Sequence, residues 1–533
     1  MFIRLITGFI ILIFTGFITF SQVWDPDLGN GYYKNPVIFA DYSDPDVIRV
    51  GDDFYLTSSS FNCVPGLPVL HSKDLVNWKI IGHAFNLQPP FEVFDKPQHG
   101  NGCWAPAIRY HNGEFYIYYG DPDFGIYMTK SRDPAGPWDP LLLVKEAKGW
   151  IDPCPFWDDD GNAYLVHAFA GSRSGIKSVL VINRMNPEGT KLLDDGVLVF
   201  DGHDNHRTIE GPKMYKRNGY YYIFAPAGGV TYGWQTVLRS KNIYGPYEIR
   251  TVMDQGTTDI NGPHQGAWIE LASGESWFMH FQDREAYGRI VHLQPMVWKD
   301  DWPVIGSDND GDGKGEPVLT YRKPDVGKSW PKISPRVSDE FENNILGLQW
   351  QWHANNKPAW AFPFPGKGFL RLYCIPLPEN YNNMWDMPNL LMQKFPAPEF
   401  TATVKLTFNS RLKGDKCGLI IMGTDYAALI VENTGEHLAI SQSVCIDAST
   451  QGREEETAGK KIENNTIYMR VKVSGEAQCD FYYSTDGENY LPVGNTFVAK
   501  PGRWIGAKMG VFSAGEGVTN DSGFADIDWF RVE

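Results

Sequence analysis

The stretch Tyr42-Ser43-Asp44-Pro45-Asp46-Val47-Ile48-Arg49-Val50 decides how the rest of the chain is interpreted. It places a carboxylate directly before a proline and follows the proline with a short apolar run. A residue pair that ends in proline, followed by an apolar run, returns four times before residue 306. The five pairs are Asp44-Pro45, Ala105-Pro106, Asp152-Pro153, Gly211-Pro212 and Gly262-Pro263. A recurrence of this length predicts one supersecondary unit that is used five times.

Each unit continues in the same order after its proline. The apolar run is the first strand, and a tight turn rich in Gly, Asn and Asp comes next, as in His111-Asn112-Gly113. An aromatic strand such as Phe115-Tyr116-Ile117 follows, and further apolar segments supply a third and a fourth strand. Five units of about four strands predict an all-β fold with a five-bladed β-propeller over residues 22–306. A generic β-sandwich is the alternative, but it does not explain the fixed order.

The second part of the chain has a different pattern. The chain has 533 residues, enough for two or three domains. From about Val337, apolar and polar residues alternate in segments such as residues 401–406 and 467–473, which predicts an antiparallel β-sandwich over residues 337–533. The sandwich either binds carbohydrate or buttresses the propeller, and the sequence favours a buttress.

Residues 307–336 are predicted to be a linker. Asp308, Asp310, Asp312 and Gly313 match the first half of a calcium loop. Leu319 stands where the bidentate glutamate of such a loop is expected, so a solvated turn is the preferred interpretation.

The N-terminus and the composition limit the functional classes. Residues 1–21 combine one early arginine with a long apolar run and small residues before Gln22, which predicts a cleaved signal peptide. An uncleaved anchor is the alternative. We therefore expect an exported protein, periplasmic or secreted, that has no membrane association after cleavage. The formal net charge of −16 argues against a nucleic-acid partner, because phosphate binding requires a basic surface. The seven cysteines lack metal-ligand spacing and are expected to be small buried residues.

Three carboxylates recur near the start of the units. Asp44 and Asp152 directly precede the prolines of units one and three, and Glu210 lies two residues before the proline of unit four. The first strand of each propeller blade lines the central channel, so these side chains are expected to converge. Neighbouring carboxylates raise one another's pKa, and glycoside hydrolysis needs one protonated and one ionised carboxyl group. The alternative is that the Asp-Pro pairs only initiate turns.

These motifs resemble those of glycoside hydrolase family 43, inverting enzymes with a five-bladed propeller. The resemblance implies that Asp44 is the general base, Asp152 the pKa modulator and Glu210, in Glu-Gly-Pro, the general acid. The Trp104-Ala105-Pro106 segment also matches. A C-terminal β-sandwich of concanavalin-like type is common in one branch of the family. Asp46 is a secondary candidate only.

The same resemblance implies further site residues. His264 matches a channel histidine that helps to hold a structural calcium ion on the propeller axis, and Arg289 matches an arginine near the sugar pocket. Phe61 and Trp104 are candidates for contacts with the sugar. Each has an ordinary structural alternative: a hydrogen-bonded core histidine, a strand arginine or core packing. No organic cofactor is expected.

The sequence thus predicts an exo-acting, inverting glycoside hydrolase that acts on an oligosaccharide or polysaccharide. The preferred activity is α-L-arabinofuranosidase on side chains of xyloglucan, arabinan or arabinoxylan. The alternatives are β-D-xylosidase, a non-catalytic carbohydrate-binding propeller and a propeller that binds proteins.

Overall fold

A computed structural model describes residues 22–517 and 521–533. The predicted signal peptide, residues 1–21, lies outside the described residues. The first part of the chain forms five four-stranded antiparallel sheets, and in each sheet the strands are neighbours in sequence order. The strands are Asp46–Val50, Asp53–Thr57, Gly66–Ser72 and Trp78–Phe85 in blade 1; Trp104–His111, Glu114–Asp121, Gly125–Ser131 and Leu142–Glu146 in blade 2; Trp150–Trp157, Ala163–Phe169, Val179–Met185 and Val197–Asp201 in blade 3; Lys213–Arg217, Tyr220–Ala227, Trp234–Ser240 and Glu248–Met253 in blade 4; His264–Glu270, Ser276–Asp283, Arg289–Lys299 and Trp302–Ile305 in blade 5. The five-bladed propeller predicted from the repeat is confirmed.

Five hydrophobic clusters lie between adjacent blades, one for each pair. Side chains along a strand point alternately to its two faces, so one strand supplies both neighbouring clusters. In the strand Glu114–Asp121, Phe115 and Ile117 pack towards blade 1, whereas Tyr116 and Tyr118 pack towards blade 3. The aromatic second strand of each unit is therefore the main source of the packing that closes the ring.

The segment that precedes blade 1 pairs with the segment that follows blade 5 and with blade 5 itself. The strand Tyr32–Lys34 pairs with Thr320–Arg322, which lies in the predicted linker. Ile38 then bridges to Val291 in blade 5. The region between blade 5 and the sandwich is therefore packed on the propeller over part of its length.

The C-terminal part of the chain is a sandwich of two sheets. One contains Gln351–Trp352, Ile375–Pro376, Leu391–Lys394, Lys416–Met422, Tyr426–Asn433, Leu438–Cys445, Glu454–Glu456, Lys460–Ile462 and Lys508–Gly515. The other contains Ala361–Phe364, Phe369–Tyr373, Phe400–Asn409, Thr466–Ser474, Gln478–Ser484, Leu491–Pro492, Phe497–Val498 and Phe524–Val532. Period-two alternation explains the core: Ile467, Met469 and Val471 all face the cluster between the two sheets.

Helical segments in the described residues are single turns. The α-helical turns are Phe91–Phe94 and Gly171–Ser174, and the 3₁₀ turns are Glu285–Tyr287, Met384–Asp386, Ala448–Thr450 and Gly475–Ala477. None of the helices in the described ranges has the length and hydropathy required to cross a bilayer. All seven cysteines are buried, as expected, and none forms a disulfide.

The two domains share one apolar core. Phe39, Val64 and Tyr287 of the propeller belong to the same cluster as the interior of the sandwich. Backbone hydrogen bonds cross the boundary in both directions between Val64 and Trp352, at 3.1 and 2.6 Å. This continuous packing agrees with a buttressing role for the sandwich.

Candidate active site

The residue that precedes the opening proline has the same unusual backbone in all five units. The φ angles are positive, at 55° for Asp44, 21° for Ala105, 57° for Asp152, 59° for Gly211 and 47° for Gly262. Such a conformation costs a non-glycine residue about 1–3 kcal/mol and tends to be kept where function requires it. The shared geometry establishes that the five positions are structurally equivalent.

In blades 2 and 3 the residue before the proline lies in a register shift of the inner strand. The pairing of the inner strand shifts between Trp104 and Ala107 in blade 2 and between Ile151 and Cys154 in blade 3. A proline lies in each shift, because it cannot donate a ladder hydrogen bond. The inner strands of these two blades thus begin before the proline, not after it as the sequence suggested. In blade 3 the irregularity turns Asp152 out of the ladder.

Six of the seven predicted site residues line a single cavity of about 100 Å³. Its wall is formed by side chains from all five blades and one from the sandwich: Asp44, Phe61, Trp104, Ala105, Ile151, Asp152, Glu210, Val230, Gln265, Arg289 and Trp504. At about 10–15 Å³ for each water-sized position, the cavity has room for roughly seven to ten heavy atoms. This is the size of one small sugar ring and not of an extended chain.

Asp44 is a fixed hydrogen-bond acceptor in this cavity. Its Oδ2 accepts from the hydroxyls of Ser43 at 2.9 Å and Ser59 at 2.5 Å. The guanidinium of Arg289 donates to Oδ1 at 3.1 Å and to Oδ2 at 3.3 Å, and also to the Ser43 hydroxyl at 2.7 Å. Both members of the ion pair are buried. The carboxylate is thereby held in one orientation, as a base that activates water requires.

Asp152 and Glu210 form a coupled pair of acids. Asp152 is buried, and its Oδ2 accepts from the backbone N–H of Gly211 at 2.7 Å. Burial first, and the charge of Glu210 second, raise the pKa of Asp152 to about 8. The pair therefore retains a proton at neutral pH. Glu210 is the more accessible member, with 22% of its side chain exposed, so it is the one that can reach a bound ligand.

Gly211 is a glycine for two reasons. Its φ angle of 59° lies in the left-handed region. A Cβ atom there would also lie 2.7 Å from Cγ of Gln265, which is too close. Gln265 itself lies within 3.5 Å of Oδ2 of Asp152 through Nε2. A larger residue at this position would displace a side chain that contacts the acid pair.

His264 lies behind the cavity and contacts Glu210 directly. Its Nε2 is 3.0 Å from Oε1 of Glu210, and its Nδ1 is buried without a hydrogen-bond partner. The unpartnered Nδ1 fits a metal-bound water or a metal ion. Within residues 22–517 and 521–533, however, the only group of three acidic, histidine or cysteine ligands close enough for a metal is Asp308, Asp310 and Asp312, remote in sequence from His264. Calcium prefers six to eight oxygen ligands, so an ion beside His264 would have to be largely hydrated.

The aromatic walls come from both domains. Phe61 is buried and exchanges two backbone hydrogen bonds with Cys103, each 3.0 Å long. Trp104 is anchored by its Nε1, which donates to the carbonyl of Gly100 at 2.8 Å. Trp504 extends from a sandwich loop and meets Trp104 edge to face, with ring centroids 6.2 Å apart.

The loop that carries Trp504 is tied to the floor of the site by Asp41. The carboxylate of Asp41 accepts from the backbone N–H of Arg289 at 2.9 Å and from that of Gly506 at 3.0 Å. Trp504 has a positive φ of 64° and is 53% exposed, so its ring projects from a constrained backbone. One buried carboxylate thus positions both the arginine next to Asp44 and the aromatic wall.

Sequence reasoning missed Ser59, Gln265, Asp41 and Trp504. Ser59 and Gln265 lie close to predicted residues, but nothing in their spacing distinguishes them. Trp504 follows the Lys500-Pro501-Gly502 turn, and its contact with the propeller depends on domain packing. Asp46, the secondary candidate, does not line the cavity: its Oδ2 accepts from the backbone of Ile108 and from the side chain of Arg109, at 2.8 and 2.6 Å, and so joins blades 1 and 2.

Comparison with protein families agrees with this arrangement. The profile described as "Glycosyl hydrolases family 43" matches residues 33–303. The profile described as "Beta xylosidase C-terminal Concanavalin A-like domain" matches residues 338–533. Together they cover the propeller and the sandwich.

Individual relatives align over nearly the whole chain. A putative β-xylosidase of Xylanibacter ruminicola is 40% identical, with 91% of this chain and 86% of the relative covered. The non-reducing end α-L-arabinofuranosidase BoGH43B of Bacteroides ovatus is 30% identical, with 93% and 94% covered. The crystal structure of the GH43 protein BlXynB from Bacillus licheniformis superposes with a TM-score of 0.81 at 29% identity, covering 94% of this chain and 99% of that one. The chain therefore belongs to glycoside hydrolase family 43, as a propeller enzyme with a concanavalin-like C-terminal domain.

Proposed function

We propose that this glycoside hydrolase is an exo-acting, inverting enzyme that removes single pentose units from the non-reducing ends of plant cell-wall oligosaccharides and polysaccharides. The observation that carries the proposal is the small cavity in which Asp44, Asp152 and Glu210 meet. A pocket of about 100 Å³, with Trp504 in its wall, suits a single terminal sugar.

The proposed mechanism uses the three carboxyl groups in separate roles. Asp44, oriented by Arg289 and two serine hydroxyls, removes a proton from a water molecule that attacks the anomeric carbon. Glu210 donates its proton to the glycosidic oxygen as the bond to the leaving group breaks. Asp152, buried beside Glu210, keeps one proton on the coupled pair before the reaction, and Glu210, as the more exposed member, delivers it. Bond cleavage with direct attack by water inverts the configuration at the anomeric carbon.

The relatives favour a β-D-xyloside as the substrate. The Xylanibacter ruminicola relative is named a putative β-xylosidase. A relative from Formosa agariphila, 33% identical over 95% of this chain, is named a β-xylosidase. We therefore place β-D-xylosidase ahead of the arabinofuranosidase activity preferred from the sequence.

α-L-Arabinofuranosidase is the second candidate. It is supported by the Bacteroides ovatus relative, which carries that activity in its name. The two pentoses can present similar hydroxyl positions, so one pocket can accept both.

Hydrolysis of paired nitrophenyl glycosides tests the substrate. We expect release of nitrophenol from the β-D-xyloside, with a smaller kcat/KM for the α-L-arabinofuranoside. A larger value for the arabinofuranoside would reverse the order, and no hydrolysis of either would contradict the proposed substrate class. Proton NMR during cleavage should show α-xylose as the first product, since inversion of a β-glycoside gives the α anomer.

The Glu210→Gln variant tests the acid. On xylobiose, whose sugar leaving group needs protonation, kcat should fall about 10²–10⁴-fold. On the nitrophenyl glycoside the loss should be smaller, because nitrophenol leaves without full protonation. Equal losses on both substrates would show that Glu210 acts in some other way.

Two further expectations from the sequence remain proposals. An axial calcium bound near His264 predicts about one calcium per purified chain after dialysis, and metal analysis that finds none would contradict it. Export through residues 1–21 predicts a mature N-terminus at Gln22, which N-terminal sequencing of the secreted protein tests.

A further inference from the structure

A second cavity lies beside the catalytic pocket at the end of blade 4. It has a volume of about 590 Å³ and is lined by Tyr232, Gly233, Trp234, Asp254, Gln255, Gly256, Thr257, Asn309, Asp310, Lys314 and Glu316. We call it the blade-4 cleft. It is several times larger than the catalytic pocket and, unlike that pocket, is lined mainly by polar side chains.

One loop separates the two cavities. Residues 228–233 connect the second and third strands of blade 4, and Val230 in this loop lines the catalytic pocket. Tyr232, only two residues further, lines the blade-4 cleft. Two residues of chain span at most about 7 Å, so along this loop the walls of the two cavities lie within about one or two sugar units of each other.

The backbone of this loop is tied to neighbouring segments, whereas its aromatic ring is exposed. The side chain of Asn261 donates to the carbonyl of Thr231 at 3.0 Å, and the N–H of Gly228 donates to the carbonyl of Arg207 at 2.8 Å. The backbone of Gly262 lies so close to Val230 that a Cβ there would be 2.4 Å from the Val230 carbonyl oxygen. Tyr232 is nevertheless 83% exposed, the highest value among the large hydrophobic side chains described. A fixed backbone therefore presents a ring that makes little use of its surface in the fold.

The chemistry of the cleft selects neutral, hydroxyl-rich ligands. Asp254, Asp310 and Glu316 contribute three carboxylates, and Lys314, paired with Asp254 at 2.7 Å, contributes one ammonium group. The formal charge of this set is −2, which disfavours uronic acids, phosphates and nucleic acids as ligands. Carboxylate and amide groups around an aromatic ring can accept and donate hydrogen bonds to sugar hydroxyls while the ring covers a sugar face.

We propose that the blade-4 cleft binds the neutral pentose chain from which the terminal sugar is removed, with Tyr232 as the stacking platform. This inference rests on the proposed function, because the chain is the leaving group of that reaction. It makes Tyr232 a specificity-determining residue for long substrates. The enzyme then distinguishes a polymer end from a simple glycoside by contacts outside the catalytic pocket.

Kinetics on substrates of two lengths test the cleft. The Tyr232→Ala variant should lower the ratio of kcat/KM for xylotetraose to kcat/KM for nitrophenyl β-D-xyloside about tenfold, mainly through KM. Tyr232→Phe, which keeps the ring, should retain the wild-type ratio within about twofold. The matched control is Tyr32→Ala, which removes a tyrosine that is 49% exposed and lines neither cavity. Its ratio should not change.

A ratio for Tyr232→Ala equal to that of the control would overturn the proposal. So would an equal loss in Tyr232→Phe, because the hydroxyl and not the ring would then be responsible. Thermal unfolding of each variant excludes a folding defect as the cause.

Direct binding separates this proposal from the proposed function. Calorimetric titration of xylotetraose into Glu210→Gln should give a Kd about tenfold lower than titration into the double variant Glu210→Gln/Tyr232→Ala. If wild-type protein hydrolyses no pentoside but this difference in Kd is found, the cleft stands and the proposed reaction fails. If hydrolysis occurs and the two Kd values agree, the reaction stands and the cleft fails.

Discussion

Two carboxylates of the same pocket should respond in opposite ways when their charge is removed. Asp44 forms an ion pair with the buried Arg289. For Asp152, in contrast, the charged group with the largest effect on its pKa is another acid, Glu210. Replacing either by asparagine keeps the shape of the side chain. We expect Asp152→Asn to stabilise the protein and Asp44→Asn to destabilise it, while both lose activity.

The magnitude for Asp152 follows from its surroundings. Its pKa is raised from 3.8 to about 8, so between these values the folded state holds a proton that the unfolded chain has released. Stability of the wild type therefore falls as the pH rises through this window. At about 1.4 kcal/mol per pKa unit the upper bound is about 6 kcal/mol. We expect about 1–3 kcal/mol at pH 8, because the pair with Glu210 shares a proton and avoids part of this cost.

The expected change in stability for Asp44→Asn has the opposite sign. Asp44→Asn leaves the guanidinium of Arg289, which is 7% exposed, without its nearest anion. Breaking a buried ion pair from one side costs about 3–5 kcal/mol, and the remaining amide oxygen reduces this to about 2–4 kcal/mol.

Thermal unfolding at pH 5 and pH 8 measures both effects. For Asp152→Asn the midpoint should rise by about 1–3 °C at pH 8 and by much less at pH 5. For Asp44→Asn it should fall at both values. A midpoint for Asp152→Asn that is equal to or below that of the wild type at pH 8 would refute the claim that the buried Asp152 carboxyl lowers the stability of the folded state.

Three other substitutions have distinct expected outcomes. Trp504→Ala should lower kcat/KM on xylobiose about 5–50-fold by removing a pocket wall, and Trp504→Phe should recover most of it; steady-state kinetics measure both. Asp41→Ala removes the acceptor of the backbone N–H groups of Arg289 and Gly506, so we expect a loss of about 2–4 kcal/mol in urea unfolding together with a rise in KM. Asp46→Asn weakens the buried ion pair between blades 1 and 2, so the free energy of unfolding should fall by about 2–4 kcal/mol. KM on nitrophenyl xyloside should stay within twofold of the wild-type value. A large change in KM would mean that Asp46 acts in the pocket after all.

The propeller and most of its pocket could be predicted because they are encoded locally and repeated. Each proline marks the same place in its unit, so equivalence in sequence became proximity in space for Asp44 and Asp152. The details around them could not be predicted, since the serine and glutamine contacts depend on side-chain orientation. The positive φ angles and the register shifts at Ala105 and Asp152 likewise depend on how the inner strands meet.

The contribution of the sandwich was beyond sequence reasoning for another reason. Trp504 follows an unremarkable turn, and only the docking of the two domains brings it to Trp104. The choice of sugar was also not encoded in any motif, because it depends on the shape of the pocket and not on the three carboxylates.

The hydrogen bond between Asp41 and Gly506 joins positions 465 residues apart. It means that the enzyme is modular in its sequence but not in its active site. Exchanging the C-terminal domain between relatives would replace one wall of the pocket along with the domain. Diversification of the sandwich loop can thus alter substrate choice without any change to the catalytic propeller.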